Sequence, residues 1–158
     1  PLPSTARLPH EGAPEMLTAI PLTIIPLIVY NIVAVIFPEA TPGVTWTSEL
    51  FGVTMVSGAR WALTLGDVMV ALGIACLFFE VMKSGRTGSA TIANHMLSTI
   101  VLIVYIIEFI LVYAAATSVF LILTLIALFD VIAGFTITIR TASRDVTYNP
   151  GFDQPHPR

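Results

Sequence analysis

The chain has 158 residues, 56% hydrophobic and 11% charged, with a mean hydropathy of +0.89 and a formal charge of −3. Soluble domains run nearer ~45–50% apolar and ~25% charged, so this composition excludes an ordinary water-soluble globule. Seven Lys and Arg against ten Asp and Glu, with no basic stripe, exclude a nucleic-acid partner, and the one cysteine, Cys76, excludes an internal disulfide and a cysteine-based zinc site.

Residues 1–15 carry Pro1, Pro3, Pro9 and Pro14 without apolar periodicity and are expected to form an irregular cytoplasmic tail. The uncharged run 16–37, MLTAIPLTIIPLIVYNIVAVIF, reads as a first membrane span. Pro21 and Pro26 each remove a backbone donor, so the helix is expected to kink in its first half or to begin near Pro21. Residues 38–50 form an interfacial loop, and the mildly apolar 51–60, too short to span, reads as a surface or re-entrant piece.

A second span is expected over 61–82, followed by the Gly/Ser turn KSGRTGSA at 83–90, a third span over 95–113 and a fourth over 119–139. Residues 145–158, with Pro150, Pro155 and Pro157, make a second irregular tail. The fold expected is all-α: residues 16–144 as an integral membrane up-down-up-down four-helix bundle. Lys83 and Arg86 in one loop, Arg140 and Arg144 after the fourth span and Arg7 in the first tail place both termini in the cytoplasm by the positive-inside rule. Trp46, Trp61 and Tyr113 suit an aromatic belt at the opposite face.

Ionisable groups inside lipid carry most of the functional information, because a mid-bilayer charge costs ~2.5–3.5 kcal/mol on insertion scales and must find company. At 1.5 Å per residue, Asn31, Asp67 and Glu108 fall at one depth, about 10 Å below the outer boundary, and are expected to form a polar layer. Arg60, two turns before Asp67 on the same face, is expected to compensate one carboxylate. Asp130 lies near mid-membrane with Tyr105 at its level as a hydroxyl donor. Thr124, Ala127, Asp130, Gly134 and Thr138 share one face of the fourth helix, and Gly66, Gly73 and Glu80 recur every seven residues in the second. Both stripes read as helix-packing seams. Glu80 and Lys83 are expected to form an ordinary interfacial ion pair.

Two interpretations of the buried acids follow. Either they are interhelical hydrogen-bond glue, or they form a proton or cation site. Enzyme chemistry leaves little trace. His95 is the lone histidine at a span, Ser98 three residues on has no orienting acid, SGRTGSA lacks a phosphate loop's spacing and lysine, and Glu80 with His95 is too few ligands for a metal. No cofactor is expected.

The words GD at 66–67, FFE at 78–80 followed by RTGSA at 86–90, EF at 108–109 and FDVIAGFT at 129–136 resemble a group of small four-span inner-membrane proteins of alphaproteobacteria, over residues 61–146. Asp67, Glu80, Glu108 and Asp130 all fall within those words. The resemblance implies an inner-membrane location and a shared four-helix fold, and no substrate. The functional expectation is a non-enzymatic structural or accessory subunit, associating with copies of itself or with a larger complex through the Gly66/Gly73 and Ala127/Gly134 seams. The alternative is a small oligomeric channel or carrier using Asp67, Glu108 and Asp130.

Overall fold

A computed structural model describes residues 20–38, 41–84 and 89–145; residues 85–88 of the 83–90 turn and nearly all of the two tails lie outside them. Among the described residues are four α-helices, α1 (Ile24–Ile36), α2 (Leu65–Ser84), α3 (Ser89–Leu111) and α4 (Ser118–Asp145), and a hairpin of β1 (Glu49–Thr54) and β2 (Arg60–Thr64). Three of the helices, α2, α3 and α4, are long and apolar enough to cross a membrane. The fourth, α1, has 13 residues, about 20 Å of helix against a hydrocarbon core of about 30 Å.

The short α1 follows from its prolines. Pro21 lacks an N–H and cannot continue a helix upstream, so the chain turns through Pro21–Thr23, with Ile24 N–H donating to the Pro21 carbonyl at 3.2 Å, before the helix begins. Pro26 then sits in the first turn, where a missing donor removes no intrahelical bond. Of the two outcomes expected, a kink or a start near Pro21, the helix shows the late start, and residues 16–19 of the expected span are outside the described chain.

Of the surface or re-entrant piece expected at 51–60, the chain forms a surface one, a β-hairpin. Its sequence, ELFGVTMVSGARWALT, is rich in β-branched and aromatic residues around a Ser-Gly turn. Gly58, at φ +85°, takes the left-handed position that closes the turn, with its N–H on the Met55 carbonyl at 2.9 Å. Because β2 runs to Thr64, the second long helix starts at Leu65 rather than at Trp61. Thr64 and Asp67 fix that start: the Asp67 carboxylate accepts from the Thr64 backbone N–H at 2.8 Å and its hydroxyl at 2.7 Å, while Asp67 N–H donates back to Thr64 Oγ1 at 3.1 Å. This is a reciprocal capping box.

Helix α4 is central, packed against both α2 and α3, and α1 rests on α2 and α4. Close approach depends on glycine. A Cβ at Gly73 would stand 2.7 Å from Leu123, one at Gly66 2.9 Å from the Trp46 carbonyl and from Val119, and one at Gly134 2.3 Å from the His95 ring. Ala127 is buried as well. The two small-residue seams are thus occupied within one chain, since lipid provides no hydrophobic drive and helices associate by close packing.

The radial distribution of polarity is the reverse of a soluble bundle's. Large aliphatics such as Ile28, Ile74, Ile103, Leu125 and Ile132 are exposed, while Thr23, Glu80, Asn94, His95, Ser98, Thr124 and Asp130 are buried. Such an arrangement is stable only where the surroundings are apolar.

Candidate functional site

The interior has two chemically different ends. Near the starts of α2 and α4, Tyr30 stacks on Trp46 with ring centroids 4.5 Å apart and meets Phe120 edge-on at 4.7 Å, and Phe120 continues to Tyr105 and Phe109. The Tyr30 hydroxyl donates to the Ala114 carbonyl at 2.8 Å and accepts from Thr117 Oγ1 at 2.7 Å; Thr117 Oγ1 in turn accepts the Phe120 N–H at 3.1 Å and caps α4. Trp46 is therefore a core residue, not part of an interfacial belt, whereas Trp61 and Tyr113 are exposed.

At the other end the broken start of α1 is held by side chains. A non-helical backbone at membrane depth leaves polar groups that hydrocarbon cannot satisfy. Glu80, fully buried on α2, accepts the Leu22 N–H at 2.8 Å; Lys83 Nζ donates to the Ile20 carbonyl at 2.8 Å; the Tyr105 hydroxyl of α3 donates to the Thr23 carbonyl at 3.1 Å. Glu80 also takes the Asn94 amide at 2.5 Å and pairs with Lys83 at 3.0 Å. The expected Glu80–Lys83 pair exists, but its carboxylate is a buried junction of three elements. A burial this complete is tolerable because the carboxylate is multiply hydrogen-bonded.

Asp130 of α4, 3% exposed, lies beside this junction and accepts from Thr23 Oγ1 at 3.3 Å. Tyr105 and Asp130 thus meet through Thr23 and not directly, as a linear depth count suggested, because Thr23 intervenes between them. Glu80 and Lys83 act on Asp130 through their charge, and the Ser98 hydroxyl acts on it as a hydrogen-bonding group beside Thr23. On α3, Asn94 and Ser98 are one turn apart on the same face, and His95 packs its ring against Gly134 and Phe135. These three residues are 2–5% exposed, and Asn94 Oδ1 and His95 Nε2 have no hydrogen-bond partner among the described residues.

The expected outer polar layer is not assembled as one group. Asp67 is exposed and spent on the α2 cap, and Arg60, on the hairpin, pairs with Glu49 across Gly52. Both differ from expectation for one reason: the strand displaces Arg60 from the helix that would have carried it over Asp67. Asn31 and Glu108 do come together, half-buried, lining an open groove of about 600 Å³ between α1 and α3 with Leu27, Ile28, Ile32 and Val104, and Asn31 donates to the Leu27 carbonyl at 3.0 Å. The stripe Thr124, Ala127, Asp130 and Gly134 is buried; the Thr138 side chain is not described.

Thr23, Asn94, His95 and Ser98 were not singled out as a site by sequence. Their signals were present: Asn94 and Ser98 at a four-residue spacing, and a glycine, Gly134, in the facing helix to admit an imidazole. Chemically the ensemble can clamp backbone and hold positive charge. Among the described residues, no three His, Cys, Asp or Glu side chains are grouped to ligate a metal ion. No family model, curated protein or solved structure matches this chain.

Proposed function

We propose that this chain is a bacterial inner-membrane protein with both termini cytoplasmic, acting as a non-enzymatic structural or accessory subunit of a membrane assembly. Its four helices form an up-down-up-down bundle in which α1 completes the first crossing. Support for that crossing comes from Leu22, which meets Glu80 near the end of α2, and from Tyr30, which meets Thr117 at the opposite end of the bundle. The Glu80 clasp supplies what a broken spanning segment requires.

The observation that carries the accessory role is the hairpin. Every residue from Leu50 to Trp61 is exposed, including Phe51, Val53, Met55, Val56 and Trp61, and the stretch 50–59 has no charge. A two-stranded sheet leaves an open edge on each strand and has little stability alone, so an apolar, uncharged hairpin beyond the bundle fits a contact element completed by another subunit. The small-residue seams are used internally, which moves the expected association surface from the helices to the hairpin.

The channel or carrier reading finds less support. Above Asp130 the interior is filled by Tyr105, Phe120 and Leu123, each at most 1% exposed, and Asp67 is outside it. The hairpin reading is tested by Phe51→Ser with Val56→Lys: the purified variant should keep its monomer stability but run at a smaller size than the wild type on native gels from mild detergent. Unchanged assembly size in the folded variant contradicts it.

A further inference from the structure

We propose that the groove between α1 and α3 receives a transmembrane helix of another membrane protein, one that carries a lysine or arginine between apolar turns. The inference goes beyond the hairpin contact and does not rest on it. The groove, about 600 Å³, falls within the ~300–1,000 Å³ usual for binding pockets, and Ile28, Ile32, Val35 and Ile36 along its wall are exposed. On α1 it runs from Leu27 to Ile36, about 14 Å or two and a half helical turns. Its charge decides what fits it. Glu108 of α3 is half-buried, and the group beside it is the neutral amide of Asn31, which also donates to the Leu27 carbonyl at 3.0 Å. Neither α1 nor α3 has a lysine or arginine; Arg60 pairs with Glu49, and Lys83 with Glu80 at the other end of the bundle. Glu108 also stands in the last turn of α3, where the helix dipole is negative and attracts a cation. A carboxylate within a spanning helix is costly without a partner, and the partner this one calls for is a single positive charge.

The position of the polar pair separates a helix from a lipid. Along α1, Leu27 and Ile28 line the groove on one side of Asn31, and Ile32, Val35 and Ile36 line it on the other. A phospholipid carries its polar headgroup at one end of its apolar chains, so it leaves either Glu108 or the apolar wall beyond it unmatched. A helix instead presents a ridge of side chains at i, i+4 and i+7 or i+8. With apolar residues at the two ends of that ridge and a lysine or arginine between them, it meets wall, carboxylate and wall in turn. A second copy of this chain supplies no such ridge, because Lys83, Arg140 and Arg144, the cations of its described helices, lie at or beyond the ends of the apolar spans.

The experiment uses the full chain in lipid nanodiscs with a photo-crosslinking residue at Val35. It is titrated with two synthetic leucine–alanine helices of ~20 residues that differ only at the centre, lysine in one and leucine in the other. The lysine helix should give a saturable adduct, half-saturating about tenfold lower than the leucine helix, the ratio expected for one polar contact between helices in a bilayer. Glu108→Gln, which keeps the shape of the side chain, should abolish the difference, and Ile32→Trp, which fills the groove, should remove the peptide adduct. If Glu108→Gln fails to fold, Ile32→Trp at its exposed position decides. Equal half-saturation of the two helices, a difference that survives Glu108→Gln, or a peptide adduct that survives Ile32→Trp overturns the proposal. Lipid adducts alone overturn it too and assign the groove to an acyl chain. The Phe51→Ser, Val56→Lys variant should bind the lysine helix as the wild type does, so failure of the hairpin contact and failure of the groove site are read separately.

Discussion

The two ends of the bundle interior solve the same problem differently. At the aromatic end, Tyr30, Thr117, Ala114 and Phe120 exchange donors and acceptors in a closed chain, and the rings of Trp46, Phe120 and Phe109 fill the space around them. At the polar end, Glu80 is bonded to Leu22 just before α1, to Lys83 of α2 and to Asn94 of α3, while Asn94 Oδ1 and His95 Nε2 have no partner among the described residues. The first arrangement is what stability alone selects, since an unsatisfied buried group costs ~1–3 kcal/mol. The second retains that cost at Asn94 Oδ1 and His95 Nε2, in exchange for a clasp on the start of the first helix.

Substitutions at each end sharpen the contrast. The largest effect is expected from Glu80→Ala, which strands the Leu22 N–H, Lys83 and Asn94 together: a loss of about 3–5 kcal/mol in reversible unfolding from detergent micelles, as for breaking other buried ion pairs. Glu80→Gln retains an acceptor for Leu22 and should lose clearly less. Equal losses in the two variants would show that the clasp is not a hydrogen-bond device.

Gly134→Ala comes next, because its Cβ would stand 2.3 Å from the His95 ring. Overpacking of this kind costs about 1–3 kcal/mol, and His95→Ala in the same chain should recover most of it. Additive losses in that double-mutant cycle would separate the two residues.

The smallest effects discriminate best. Tyr30→Phe removes one hydroxyl from a satisfied network and should cost about 0.5–1.5 kcal/mol. Ser98→Ala removes one of two hydroxyls beside the Asp130 carboxylate, leaves Thr23 in place and should cost less than Tyr30→Phe. A loss from Ser98→Ala as large as that from Tyr30→Phe would mean that the polar end is as fully satisfied as the aromatic one.

Much of this was readable from composition and local pattern. Three long apolar runs become α2, α3 and α4, with all ends within six residues of expectation, because span length and charge placement are local properties. The prolines of the first span forecast a late helix start for the same reason. Depth counting failed for Asp67 and Arg60. It assumes that each helix begins where its apolar run begins, and a strand carrying the consecutive apolar residues Trp61, Ala62 and Leu63 in front of Thr64 satisfies the same hydropathy. The capping box at Thr64–Asp67 was legible in the four letters TLGD, and would have moved Asp67 from the membrane layer to the helix start. Glu80 could be paired with Lys83 from spacing alone, but its partners Leu22 and Asn94 are 58 and 14 residues away and depend on where the interrupted α1 comes to rest. That is tertiary information, as is the grouping of Asp130 with Thr23.

The hairpin differs from both ends in being complete only in its own hydrogen bonds and covered by nothing among the described residues. Its role as the contact element is tested most directly by a photo-crosslinking residue placed at Val56, compared with one at the exposed Ile74 of α2. A discrete protein adduct from Val56, with only lipid adducts from Ile74, is the predicted result. Lipid adducts alone from both positions, or the same protein adduct from both, would contradict it.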